Sequence, residues 1–426
     1  MVHYFARTVD TELDALLPEL AAISIDGPKG VGKTVTARRR AAAVIALDDA
    51  DQLDLLAADP HRLARLPAPV LIDEWQRYPP VWDLVRREVD RDPSGGRFLL
   101  TGSALPESAS IHSGAGRIVR LRMRPMSFSE RNLVPPTVSL GDLLSGSRPP
   151  ITGESPFGIL DYANELVGSG YPGIRSLPAR ALRAQLDSYL TMIVERAFAD
   201  QGRPVRRPTV LRAWLAAYAA ATSTTASYTS ILDAATPGEV DKPAKTTTIA
   251  YRDVLTQLWL LDPIPGWLPV GSPLTRLAQA PKHHLVDPSL AARLLGVDGP
   301  ALVAGAKPGA AGRLAVSGTL LGRLFESLVT LDVRVGAQAV EASTFHLRTK
   351  DGDHEIDLIV ERDDHRVLAL EVKLGAGVTD ADVHHLKWLG SRIGDGLLDA
   401  AVITTGPTAY RRPDGIAVIP AALLGS

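Results

Sequence analysis

The sequence predicts an α/β chain in three parts: a parallel sheet first, a helical middle, and a smaller α/β unit at the end. Three observations predict it. Short apolar runs alternate with helical stretches up to about residue 130, helix-patterned segments dominate 156–300, and from 317 the pattern becomes helix, three strands, helix, strand. A length of 426 residues agrees, since ~150 residues per domain implies two or three domains.

In the first part the apolar runs are 21–25, 43–47, 70–72, 98–100 and 118–121, with helical stretches at 33–40, 51–58 and 81–90. Strands in that order suit a doubly wound parallel sheet. The stretch 135–155 is rich in Pro, Gly and Ser and reads as a linker. Helices are expected at 180–199, 210–221, 227–235 and 246–261. The last three, followed by 260–268 with breaks at Pro263 and Pro265, suit a winged helix-turn-helix. The Gly/Ala/Pro stretch 296–312 reads as a second linker. A helix at 319–333, strands at 345–347, 355–361 and 367–372, a helix at 380–389 and a strand at 400–404 complete the chain. The expected domains are therefore 1–134, 156–300 and 313–426, with 135–155 as linker.

Composition narrows the function. With 46 basic and 48 acidic residues the net charge is −2, which excludes binding to nucleic acid by bulk positive charge but not by a local basic face. A hydrophobic content of 45% excludes disorder as the main state. Cysteine is absent, so disulfides, thiolate zinc sites, iron–sulfur clusters and thiol nucleophiles are excluded together. No apolar run approaches the ~18 residues a membrane helix needs. The first residues lack the apolar core of a signal peptide, so a soluble, cytoplasmic protein with no membrane partner is expected. Only nine of the 46 basic residues are lysine. In so arginine-rich a chain, a lysine persists best where a compact ammonium cannot be replaced by a planar guanidinium.

Gly27-Pro28-Lys29-Gly30-Val31-Gly32-Lys33-Thr34 follows a strand and opens a helix, the setting of a phosphate-binding loop. Its glycines let successive backbone N–H groups turn toward phosphate oxygens. Lys33 would reach the β- and γ-phosphates of ATP, and the Thr34 hydroxyl would bind Mg²⁺. Composition alone gives roughly 0.008 expected matches to this pattern. Val70-Leu71-Ile72-Asp73-Glu74 delivers two acids at a strand end. Asp73 would hold the Mg²⁺, and Glu74 would orient and deprotonate an attacking water. Thr101 or Ser103, at the next strand end, would bond that water or the γ-phosphate, or simply close a turn. Arg117 suits either an arginine finger across a subunit interface or a surface ion pair.

With these residues in place the chain resembles the prokaryotic AAA-type ATPases of largely unknown function. In that family the ATPase is fused to a winged-helix-like helical middle and a C-terminal restriction-endonuclease-like domain. The residues carrying the resemblance are Gly27–Thr34, Leu71-Ile72-Asp73-Glu74-Trp75-Gln76, Leu100-Thr101-Gly102-Ser103, Gly116-Arg117 and Arg124-Pro125-Met126-Ser127-Phe128-Ser129-Glu130. Shorter matches follow at Gly170-Tyr171-Pro172, Tyr189-Leu190, Glu195-Arg196, Leu258 to Trp267, Phe325-Glu326, Glu355-Ile356-Asp357 and Glu371-Val372-Lys373. The resemblance implies a nuclease-type site in which Glu326, Asp357 and Glu371 hold Mg²⁺ or Mn²⁺. Lys373 would then steady the attacking hydroxide. Taken without the resemblance, Glu-x-Lys on a strand reads equally well as an exposed ion pair.

The remaining charged residues point less sharply. Lys242, Lys245 and Arg252 would contact DNA phosphates from the helical middle, or form a solvated face. A structural role is expected for Arg38, Arg39 and Arg40 on the loop's own helix. His346, His354, His365, His384 and His385 lack a helical metal-pair spacing and are expected on the solvated surface. Function is thus expected to be ATP hydrolysis in an AAA-type protein, with a homo-oligomer as the assembly an arginine finger would need, acting on DNA through the C-terminal unit. The rival is a nucleotide-dependent regulatory module with a silent nuclease fold. A small-molecule kinase is disfavoured because Glu74 follows Asp73 as in a hydrolase.

Overall fold

The computed structural model describes residues 4–103, 115–200, 202–203, 205–236, 243–268, 280–305 and 318–426. Lys242 lies outside them, as does the end of the second expected linker, 306–312. The chain opens with α1 (Thr8–Leu16), β1 (Ala22–Asp26), α2 (Lys33–Arg38), β2 (Ala43–Ala46), α3 (Ala50–Ala58), β3 (Val70–Asp73), α4 (Pro80–Arg91), β4 (Phe98–Gly102) and β5 (Val119–Arg122). All five strands are parallel, in the order β2-β3-β4-β1-β5. The central strands β1, β3 and β4 are buried along their whole length, which is why their sequences are continuous apolar runs rather than alternating ones. Because β1 sits between β4 and β5, the loop leaving its C-terminal end lies beside the C-terminal ends of β4 and, one strand further, β3. Ligands of such sheets bind at that edge.

The stretch expected as a linker is built into the fold instead. β6 (Val138–Ser139), α5 (Leu140–Leu144) and β7 (Gly153–Glu154) lie within it, and Leu140, Leu143 and Leu144 are buried. Pro and Gly mark tight turns here rather than a free spacer.

Helices α6 (Ile159–Val167), α7 (Pro172–Arg175) and α8 (Ala179–Met192) begin the middle. α8 continues through a π turn (Ile193–Ala197) into α9 (Phe198–Asp200), so the expected single helix carries a bulge. α10 (Pro208–Ala220), α11 (Tyr228–Ala235) and α12 (Lys245–Gln257) follow. α12 stops four residues earlier than the pattern suggested, because Trp259 takes a left-handed conformation (φ 62°) and Pro263 and Pro265 prevent resumption. The chain then extends, and 261–264 pairs antiparallel with 282–285 through Leu261 with Leu285 and Ile264 with Lys282. α13 (Pro288–Leu294) and α14 (Gly299–Gly305) close this part.

The last part contains α15 (Gly318–Ala339), β8 (Ser343–Arg348), β9 (Glu355–Glu361), β10 (Val367–Lys373), α16 (Asp380–Ile393), β11 (Leu397–Thr404), β12 (Thr408–Arg411), β13 (Ala417–Pro420) and β14 (Leu424–Gly425). Its sheet is mixed, ordered β7-β12-β13-β11-β10-β9-β8, with β10, β11 and β13 parallel and the outer pairs antiparallel. β6 pairs with β14, so the former linker contributes strands to two C-terminal pairings. One apolar cluster runs from Val9 and Leu13 through Trp214 and Tyr218 to Phe325, Leu368 and Ile403. The three sequence regions therefore share a core. Separate clusters cover the far face of the first sheet (Ile45, Trp75, Trp82) and of the last (Leu347, Val383, Leu389). Among the described residues no helix is long and apolar enough to cross a membrane.

Candidate nucleotide site and C-terminal acidic cluster

Residues 27–34 bridge β1 to α2 with glycine where only glycine fits. A side chain on Gly27 would put its Cβ 2.1 Å from the Met123 carbonyl oxygen, and Gly32 begins α2 at φ 106°. The Lys33 ammonium is folded back over the loop, donating to the carbonyl oxygens of Gly27 and Pro28 at 2.8 Å each. Burial pushes its pKa down to about 8, against the attraction of Glu74, Asp26 and Asp73.

The two acids expected beside the loop lie at the end of β3. Asp73 ends β3, and its Oδ1 accepts from the Thr34 hydroxyl at 2.8 Å and from the Thr101 hydroxyl at the end of β4. The first turn of α2 and the end of β4 thus converge on one carboxylate oxygen at the end of β3, and a hydroxyl beside a carboxylate is an oxygen donor set suited to Mg²⁺. Glu74 takes a left-handed backbone conformation (φ 54°), and its N–H donates to Thr101 Oγ1 at 3.3 Å. The Glu74 carboxylate is half-buried and accepts from the Gln76 amide and from Ser103 Oγ at 3.3 Å. Both Thr101 and Ser103 are buried, so each has a specific partner: Thr101 holds Asp73, and Ser103 holds Glu74. Arg117 is exposed and pairs with Asp90 of the same chain at 2.9 Å. Arg39 lies over the Tyr4 ring and Arg40 pairs with Asp10 and Asp14, packing contacts in keeping with a structural role.

Sequence reading missed what surrounds the loop. Arg7, buried, donates to the Val31 carbonyl at 2.8 Å and to the Arg124 carbonyl at 2.7 Å, and pairs with Glu130. From the helical middle, the Tyr189 hydroxyl donates to the Lys29 carbonyl at 3.2 Å. With its own proton so engaged, Tyr189 accepts from the Tyr171 hydroxyl, also 3.2 Å away. The turn presenting Tyr171 is fixed by Asp287, whose buried carboxylate accepts from Gly170 N at 2.7 Å and Ser169 Oγ at 3.0 Å. Tyr171 and Tyr189 lie in two of the short motifs, but nothing in those motifs says what they touch.

The C-terminal acids converge around an unexpected cation. Lys282 Nζ lies 2.8 Å from Glu326 Oε1, 3.0 Å from Asp357 Oδ1 and 3.5 Å from Glu355 Oε1, and its side chain is 1% exposed. Glu326 comes from α15, Glu355 and Asp357 from β9. Asp357 also accepts from Val372 N at 2.9 Å, across the β9–β10 pair. Glu371 and Lys373 share a face of β10, as alternation requires, and pair at 3.3 Å. Burial, reinforced by Asp357, raises Glu371 well above the usual carboxylate range, and burial beside Asp357 also raises Glu326, while the ammonium of Lys282 favours its charged form. A divalent ion between Glu326 and Asp357 does not fit this arrangement, because an ammonium stands between them. The scarcity of lysine was a signal that could have singled out Lys282.

The expected solvated surface holds for His365 and His384, but His346 is buried and His354 and His385 are partly so. His346 is buried, with Nε2 on the Ala280 carbonyl at 2.9 Å, and burial pushes its pKa down to about 4. His354 stacks on Trp388 with centroids 4.0 Å apart and brings its Nδ1 to 3.1 Å from His385 Nδ1. His354, His384 and His385 offer ligand atoms within 4.8 Å of one another, a set assembled by packing the turn before β9 on α16. His365 is exposed, as expected, and pairs with Glu361. Of the expected DNA contacts, Arg252 lies over the Tyr228 ring at 4.8 Å and 3.6 Å from Asp253, and Lys245 is exposed.

Comparison with known proteins finds three family matches along the chain. Residues 20–132 match the AAA domain family, 159–301 match a domain of unknown function (DUF8612), and 321–424 match another domain of unknown function (DUF4143). Among curated proteins, the chain is 28% identical over 304 residues to the uncharacterized proteins Mb2031c of Mycobacterium bovis and Rv2008c of Mycobacterium tuberculosis. That alignment covers 68% of this chain and 60% of each relative's length. Among solved structures, the ORC2 protein of Aeropyrum pernix, described as ADPNP–ADP complexes, is similar at 16% identity. It covers 68% of this chain and 89% of its own, with a TM-score of 0.28, too slight a likeness to build on.

Proposed function

We propose that the N-terminal part, whose residues 20–132 match the AAA domain family, binds and hydrolyses ATP as a switch for the helical and C-terminal parts. The observation carrying this reading is the convergence of Thr34 and Thr101 on Asp73 at the mouth of the glycine loop, with Glu74 next in sequence. Backbone N–H groups of residues 30–34 would take the phosphates, and Lys33 would leave the Gly27 and Pro28 carbonyls for them. Thr34 and Asp73 would hold Mg²⁺, which supplies charge neutralisation at the phosphates. The Glu74 carboxylate, oriented by Gln76 and Ser103, would accept the proton of the attacking water. Thr101 keeps Asp73 aimed at Thr34. The two tyrosines give the middle part a direct hold on the loop, so that loop rearrangement would reach α8. An Arg117 finger would require a homo-oligomer and release of Asp90.

Phosphate release from ATP by the wild type, by Glu74→Gln and by Lys33→Ala tests this. Glu74→Gln should bind ATP with hydrolysis reduced ~10²–10⁴-fold, and Lys33→Ala should lose binding. Equal hydrolysis by all three proteins would remove the proposal.

For the C-terminal part, the silent regulatory reading is favoured over a metal-dependent nuclease because Lys282 stands among the acids. DNA contact through the helical middle, at Lys245 and Arg252, belongs to the same reading. Incubating plasmid DNA with Mg²⁺ or Mn²⁺ should give no scission, and cleavage that disappears in Asp357→Ala would restore the nuclease.

A further inference from the structure

We infer that Lys282 is the resident cation of the C-terminal acidic cluster: its ammonium holds the seat between Glu326 and Asp357 that a divalent metal would otherwise take. The inference sharpens the silent reading of this part and is independent of whether ATP is hydrolysed.

The geometry leaves little freedom. Lys282 is anchored at both ends: its backbone exchanges two hydrogen bonds with Ile264, each 2.9 Å, and its Nζ reaches three carboxylates within 3.5 Å. An ammonium in a fully buried position survives only where opposite charge surrounds it. Conversely, carboxylates brought together from α15 and β9 would repel one another without a cation between them. A lysine suits the seat because it is a compact point charge with three donors, whereas a guanidinium needs a planar, two-pronged acceptor. Two of its donors are met by Glu326 and Asp357 at hydrogen-bond distance. Asp357 is engaged on its other oxygen by Val372 N, which holds its Oδ1 toward Lys282. The lysine arrives from the helical middle, not from the fold that supplies the acids. It therefore fastens 282–285 and its partner 261–264 to the C-terminal sheet, filling the seat and joining two parts of the chain in one contact.

Mn²⁺ binding to the full chain without nucleotide, followed by electron paramagnetic resonance, tests this in the wild type, Lys282→Met, Asp357→Asn and the double variant. Wild type and Asp357→Asn should take up Mn²⁺ identically. Lys282→Met should gain one site, at least ~10-fold tighter than any in the wild type, and the double variant should lose it. A wild-type site abolished by Asp357→Asn would overturn the inference, as would a folded Lys282→Met that gains none. Mn²⁺ held at the nucleotide loop is recognised separately by its loss in Asp73→Asn. Should Lys282→Met not fold, acetylation of the wild type read by mass spectrometry decides. Lys282 should stay unmodified, with or without Mn²⁺, while the exposed Lys387 reacts. Labelling of Lys282 that appears on adding Mn²⁺ would mean the metal displaces it and overturn the inference.

Discussion

Lys33 shows how one residue's setting becomes a measurable property. Burial pushes its amine down to about 8, so it is charged below that pH and loses its proton above it. Phosphate binding needs the charged form. ATP affinity should therefore be flat up to about pH 8 and weaken by up to ~10-fold per unit above it, until bound phosphate itself raises the amine. Titrating a fluorescent ATP analogue across that window checks the sign; an affinity that rises with pH would contradict it. Thr101 is a second residue with a sharp consequence. Its hydroxyl holds Asp73 while its oxygen accepts from Glu74 N, so Thr101→Val keeps the shape and removes both bonds. Hydrolysis should fall more than ATP binding, measured as kcat against Kd, because the acids lose their alignment while the loop keeps its amides.

At the scale of elements, the contact between α8 and the glycine loop matters most. Tyr189 is carried on a helix that ends in a π turn, and its hydroxyl restrains the Lys29 carbonyl. Tyr189→Phe removes two hydrogen bonds, to the Lys29 carbonyl and from the Tyr171 hydroxyl, each worth about 0.5–1.5 kcal/mol, and frees the loop. ATP affinity should drop by up to ~10-fold, with little change in thermal midpoint. An unchanged Kd in Tyr189→Phe would show that the helical middle does not restrain the loop. Asp287 acts on the same element pair from the other side, since it both begins α13 and fixes the turn of Gly170.

Across the whole molecule, Asp262 ties the three parts together. Its buried carboxylate pairs with Arg122 at 3.0 Å and Arg124 at 2.9 Å from the first part, and with Arg334 of α15 at 2.8 Å from the last. The three guanidinium groups more than offset its burial, so its pKa lies far below the usual carboxylate range. Its folded pKa being depressed, the stabilisation is present above the unfolded value near 3.8 and is lost as pH falls below it. Asp262→Asn leaves one buried and two partly buried cations without their shared anion and should cost about 3–5 kcal/mol, read as a fall in thermal midpoint. Arg117→Ala, which opens a surface ion pair, should leave that midpoint unchanged. Equal midpoints in both variants would mean that Asp262 does not join the parts.

Much of this was legible beforehand. The five parallel strands, the glycine loop and the Asp73–Glu74 pair could be read locally, because apolar runs, glycine turns and a strand-end acid are set by neighbours a few residues away. The same holds for β9 and β10, whose alternation placed Glu371 and Lys373 on one face. Other features were not local. The stretch 135–155 looked like a spacer because its strands are two residues long and their partners lie more than 250 residues on. His354 and His385 meet only because a turn packs on α16, and Lys282 finds Glu326 and Asp357 across 44 and 75 residues. The sequence by itself determined which chemical groups each segment carries; the tertiary structure alone decided which charges face one another. The reason is physical. Backbone preference and periodicity act over a few residues, whereas the burial that makes an ion pair matter exists only once distant segments have closed around it.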